Sequence, residues 1–121
     1  MDKQQALNKF WSEATGLPAY EENSIPENAQ LPYCTYQTII DGLDYAVFPL
    51  GHVWMRSVSW SALDALQRHI ESYIGMGKII KMDEGRLFIC KGNPFAQREK
   101  DEQDTSIKGY LINIQAEFLS N

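Results

Sequence analysis

Cysteine, histidine and long apolar runs are all scarce in this 121-residue chain, and each scarcity closes off a class of function. The two cysteines, Cys34 and Cys90, each sit in a strand-like stretch, and neither lies in a C-x-x-C or Cys/His spacing. They read as buried free thiols rather than as a redox pair or metal ligands. A disulfide between them is open geometrically if their strands pair, but a cytosolic setting disfavours it. His52 and His69 have no carboxylate or cysteine at ligand spacing, so packing or surface roles outweigh catalysis or zinc binding. No apolar run approaches the ~20 residues needed to cross a bilayer. The polar start, residues 1–5, lacks the basic and apolar regions of a signal peptide, so the chain is expected to stay in the cytoplasm and away from membranes.

Positive charge is also short. The formal net charge is −5, and the excess acid lies in the flanks: residues 33–91 carry six basic and six acidic side chains, whereas residues 1–32 and 92–121 are each acid-rich. No Lys/Arg cluster alternates with aromatics to track a phosphate backbone, which disfavours sequence-specific nucleic-acid binding. What is present is an average globular mixture, 44% hydrophobic and 22% charged, of a length that suits one domain over residues 1–121.

Periodicity supplies the elements. Ala6, Leu7, Phe10, Trp11 and Ala14 fall at helical spacing, with Asp2 at the positive end of the helix dipole and Gly16 near its close. Residues 17–32 hold Pro18, Pro26 and Pro32 and are expected to lack regular structure. Residues 33–41 and 43–56 read as a hairpin around Asp41-Gly42, with Pro49 and Gly51 interrupting the second strand. Leu63, Leu66, Ile70, Tyr73 and Ile74 define a helix over residues 61–75, with Ser61 as its cap, Trp60 as a hydrophobic staple, and Gly75 and Gly77 as its stop. A hairpin over residues 78–91 turns at Asp83-Glu84-Gly85. A charged loop over residues 92–106 then leads to a long strand in which Tyr110, Ile112, Ile114, Ala116 and Phe118 alternate with Leu111, Asn113, Gln115 and Glu117. The order predicts an α+β fold: a mostly antiparallel β-sheet with two main helices packed on one face and one long charged loop.

Nothing in this inventory assembles an active site. Asp83 and Glu84 form a carboxylate pair, but Gly85 beside them makes an exposed turn the better account. Gly75, Gly77 and Gly85 build no phosphate-binding loop, and Ser57, Ser59 and Ser61 flank a helix without a nucleophile elbow. No catalytic, metal-binding or cofactor residue is assigned. The expected interaction residues are those of the charged loop: Arg98, Glu99, Lys100, Asp101, Glu102 and Asp104, with Phe95 at its entrance as an anchor on its own domain or on a partner.

Five ordered segments carry a family resemblance: residues 16–20 (GLPAY), 32–36 (PYCTY), 53–57 (VWMRS) with Trp60-Ser61 opening a helix, 92–97 (GNPFAQ) and 110–117 (YLINIQAE). Together they resemble the tail-terminator, or tail-completion, proteins of long-tailed phages and prophages. The resemblance implies an α+β subunit of a homo-oligomeric ring, a hexamer, that caps the polymerised tail tube and offers its other face to the head connector. It implies no enzyme and no cofactor, with assembly in the bacterial host cytoplasm and a final place at the head–tail junction of the virion. An acidic loop suits the lumen of such a ring, because DNA slides past a surface that does not trap phosphates. Two alternatives stay open: a head–tail connector (neck) protein, and a stand-alone acidic binding module such as an immunity or inhibitor protein.

Overall fold

The computed structural model describes residues 1–38, 46–57 and 59–120. The first helix, α1 (Lys3–Thr15), begins where Asp2 accepts a hydrogen bond from the Gln5 backbone N–H while the Gln5 side chain accepts one from the Asp2 N–H. This reciprocal cap satisfies two of the orphan amides at the helix start. Gly16 closes the helix in the left-handed region at φ 67°, where its N–H reaches the Ser12 carbonyl. The apolar stripe read from the sequence is the stripe that is buried: Ala6, Leu7, Phe10, Trp11 and Ala14.

The second helix, α2 (Ser61–Ile74), buries Leu63, Ile70 and Ile74, and packs Leu66 and Tyr73 against the same core. Its start differs from expectation. Trp60 occupies the cap position and makes no side-chain cap bond, Ser61 is already the first helical residue, and Asp64 is engaged by the sheet instead of by the helix.

Among the described residues seven strands form one sheet: β1 (Ala19–Glu21), β2 (Tyr33–Tyr36), β3 (Ala46–Val47), β4 (Leu50–Arg56), β5 (Lys78–Met82), β6 (Gly85–Lys100) and β7 (Ile107–Ser120). The order is β1-β2-β4-β7-β6-β5, with β3 joined to β7; β1 and β2 run parallel and the other pairs antiparallel. The α+β expectation holds. Alternation along β7 works as read, with Tyr110, Ile112, Ile114, Ala116 and Phe118 buried toward the core and the intervening residues half-buried on the open face.

Two stretches differ from expectation. Residues 17–32 contain β1, which is compatible with its prolines because Pro18 lies just outside the strand and contributes a carbonyl to Cys34 N–H at 2.8 Å. The run over residues 43–56 is divided at Phe48-Pro49: β4 pairs with β2 as expected and also with β7, while β3 pairs with β7 further along that strand. The turn expected at Asp41-Gly42 lies outside the described residues.

The largest correction concerns residues 92–106. β6 does not stop at Lys91; a register shift between Lys91 and Ala96 absorbs the intervening residues, and pairing with β7 resumes from Ala96↔Ile112 to Lys100↔Lys108. The long charged loop is therefore a short one, residues 101–106. The composition misleads because β5 pairs with β6 only as far as Ile89, which leaves the distal half of β6 as a sheet edge. Charged side chains and a proline are normal at an edge, where they discourage unwanted strand addition.

Candidate assembly surface

The seven residues expected to act outward fall on the distal β6–β7 hairpin, where most of them are used internally. On the helix side, Asp64 of α2 accepts from the Tyr110 hydroxyl at 2.5 Å and from Arg98 Nη2 at 3.2 and 3.0 Å. Arg98 Nε also donates to the Tyr110 hydroxyl at 3.2 Å, and its guanidinium lies 4.6 Å from the Trp60 ring centroid. The Trp60 ring meets Tyr110 edge-on at 6.0 Å. The four residues clamp the first turn of α2 to β6 and β7. The Tyr110 hydrogen bond and the Arg98 charge hold the Asp64 carboxyl below its ordinary range, while partial desolvation opposes them.

On the open face, His52 Nδ1 lies 2.5 Å from Glu99 Oε1, and the imidazole stacks on Trp54 at 5.8 Å. His52 thus has the carboxylate neighbour that linear spacing gave no hint of; β4 and β6 bring it there from 47 residues away. Trp54 lies across Gly109, where a Cβ would come within 2.8 Å of the indole, so the glycine admits the ring.

The tip is pinned as well. Asp101 accepts from the backbone N–H groups of Gln103 and Asp104 at 2.8 and 2.9 Å. Asp104 accepts from the Ser106 hydroxyl and N–H and from Arg56 Nη1 at 2.7 Å, and its pKa is held down to about 2 by the Ser106 hydroxyl first and Arg56 second. Lys108 Nζ donates to the Ser57 carbonyl at 2.6 Å. The hairpin end is stitched to the end of β4 on both sides.

Phe95 is half-buried and packs against the core of its own domain at the bulge. Lys100 and Glu102 are exposed and make no ion pair among the described residues. Sequence reasoning missed Arg56, His52, Asp64, Trp60 and Tyr110 as partners of this region. The alternation along the last strand did place Tyr110 on the helix-facing side, which is the one signal that was available.

Among the described residues no three His, Cys, Asp or Glu side chains group as metal ligands, and no helix is long and apolar enough to cross a membrane. A cavity of about 650 Å3 opens between the N-terminal residues and the β5–β6 turn. Of its three carboxylates Asp2 is taken by the helix cap and Asp83 by the Met1 amine, while Glu84 is exposed and makes no ion pair among the described residues, and its lining holds no histidine, cysteine or serine among the described residues.

No protein-family model matches the chain, and no curated protein matches it. Among solved structures, a chain in the virion of a native gene transfer agent particle has a similar fold, with a TM-score of 0.57 and 10% sequence identity. The likeness covers 98% of this chain and 95% of that one, so the two share a fold from end to end.

Proposed function

We propose that this chain is a non-enzymatic structural protein of a phage-like virion, placed at the head–tail junction as a tail-terminator subunit. The observation that carries this is the end-to-end fold likeness to a chain of a gene transfer agent virion. The ordered segments that resemble tail-completion proteins support it independently of the coordinates. So does the hairpin tip, since a surface held by the Asp64–Arg98–Tyr110 clamp and the Arg56–Asp104 pair is formed before any partner arrives.

In this account the chain forms a ring, a hexamer, that stops polymerisation of the tail-tube protein on one face and receives the head connector on the other. The subunits collect in the host cytoplasm and end in the virion. Residues 101–106 and Lys100 contribute to the ring's contacts or lumen. With Asp101 and Asp104 occupied by their own loop, the charge offered outward at the tip comes from Lys100 and Glu102. Such a tip neither grips nor reads DNA.

A head–tail connector subunit would be equally at home in a virion, so the test must locate the chain. Electron microscopy of particles carrying an epitope label on this chain is expected to show label at the junction of tail tube and neck, in a single layer contiguous with the tube. Label on the head side of the neck moves the assignment to the connector. Unlabelled particles overturn both.

A further inference from the structure

Two regions at opposite ends of the strand order combine exposed apolar side chains with charge of opposite sign. At one end is β5, which among the described residues pairs only with β6. Met76 just before it is fully exposed and Ile79 within it is 51% exposed. Beside them Lys81 and Arg86, register partners on the open face, are exposed and make no ion pair among the described residues; of the carboxylates at the turn between them, Asp83 is paired with the Met1 amine and Glu84 is exposed. At the other end is β1, which among the described residues pairs only with β2. The segment that leaves it carries Ile25, 40% exposed, between the exposed carboxylates Glu22 and Glu27. Among the described residues four large hydrophobics are exposed, and three of them lie in these two regions.

We propose that these two ends bind each other between copies: the basic β5 end of one subunit docks on the acidic β1 end of the next. Charge selects this pairing. A two-fold contact would set Lys81 and Arg86 against themselves, or Glu22 and Glu27 against themselves, and like charges brought together are repulsive. A head-to-tail contact sets base against acid and Met76 and Ile79 against Ile25. Repeated from copy to copy it is heterologous, and it closes into a ring when the rotation per subunit divides the circle. The contact rests on the ring reading above and adds the joint through which the ring is made.

The test uses two charge-reversed forms of the full chain, Lys81→Glu with Arg86→Glu, and Glu22→Lys with Glu27→Lys, compared with wild type by native mass spectrometry up to the solubility limit. All four positions are exposed, and circular dichroism checks that the variants stay folded. Wild type is expected to form closed oligomers and each variant alone to remain monomeric, because each then presents two ends of the same sign. An equimolar mixture is expected to regain closed oligomers containing equal numbers of the two variants, since the reversed ends complement each other. If either variant assembles as wild type does, or if the mixture stays monomeric, this joint is wrong while the ring stands on the wild-type mass. Wild type that is monomeric at every concentration also overturns the joint, and the ring is then judged by the junction labelling alone.

Discussion

Replacing Gly51 with alanine tests how tightly α1 is keyed to the sheet. A Cβ at this position would lie 2.7, 2.8 and 3.0 Å from three atoms of the Trp11 benzo ring. The ring cannot retreat: Trp11 is fully buried, meets Phe10 edge-on at 5.0 Å and stacks on Tyr36 at 6.4 Å. Overpacking a core by one methyl under such constraint costs ~1–3 kcal/mol, and the lower entropy of an unfolded chain with alanine in place of glycine returns ~0.4–1 kcal/mol. The net loss is about 1–2 kcal/mol, a fall of roughly 3–10 °C in melting temperature for a domain of this size. Denaturant unfolding of Gly51→Ala, Trp11→Phe and the double variant separates steric conflict from any other effect. Phenylalanine removes the benzo edge. It sacrifices no hydrogen bond either, because Trp11 Nε1 has no partner among the described residues. In the Trp11→Phe background the alanine is therefore expected to cost under about 0.5 kcal/mol, a coupling well outside ordinary additivity. Equal penalties in both backgrounds would refute the reasoning.

Three further outcomes are expected. Tyr110→Phe removes a donor to Asp64 and should speed amide hydrogen exchange across Ala96–Lys100, the edge that the clamp holds, while exchange in β5 stays unchanged; uniform acceleration would mean a general loss of stability instead. Asp104 has a folded pKa of about 2 against an ordinary value of ~3.9. Its depressed pKa means that its stabilisation is fully present above pH ~4 and is lost as pH falls through about 2, so Asp104→Asn should flatten acid unfolding in that window and leave its shape near neutrality unaltered. Burial pushes the Cys34 thiol up to about 12, so at neutral pH a thiol reagent should label half-buried Cys90 first and Cys34 only on unfolding; equal rates would contradict the burial of Cys34.

Local rules made much of the fold readable in advance. Asp2 and Gly16 bound α1 because caps are written within a few residues of where they act, and β7 was legible because strict alternation survives wherever one face meets a core. The failures have one physical source, the use of local residues by distant ones. Asp64 stands three residues after Ser61, the usual capping geometry, yet Arg98 and Tyr110 from 34 and 46 residues away claim it. Residues 96–100 look like a solvated loop because their charges are visible in sequence, whereas the β7 residues that pair with them are not. The same holds for Glu99, whose neighbour His52 becomes apparent only when β4 and β6 share a sheet with β7 between them. The seven residues singled out in the charged stretch fall together on the distal β6–β7 hairpin. How many of them stay available to a partner depended on contacts that no spacing rule carries.

The central claim is that this chain ends the growth of a tail tube, and the most direct measurement is the length of tubes made without it. Particles from an otherwise intact phage or prophage lacking this gene should, by electron microscopy, give tubes of broadly scattered and excessive length beside separate DNA-filled heads, with normal tails restored when the chain is supplied from a plasmid. Tails of uniform normal length in its absence, whether joined to heads or not, would contradict the account.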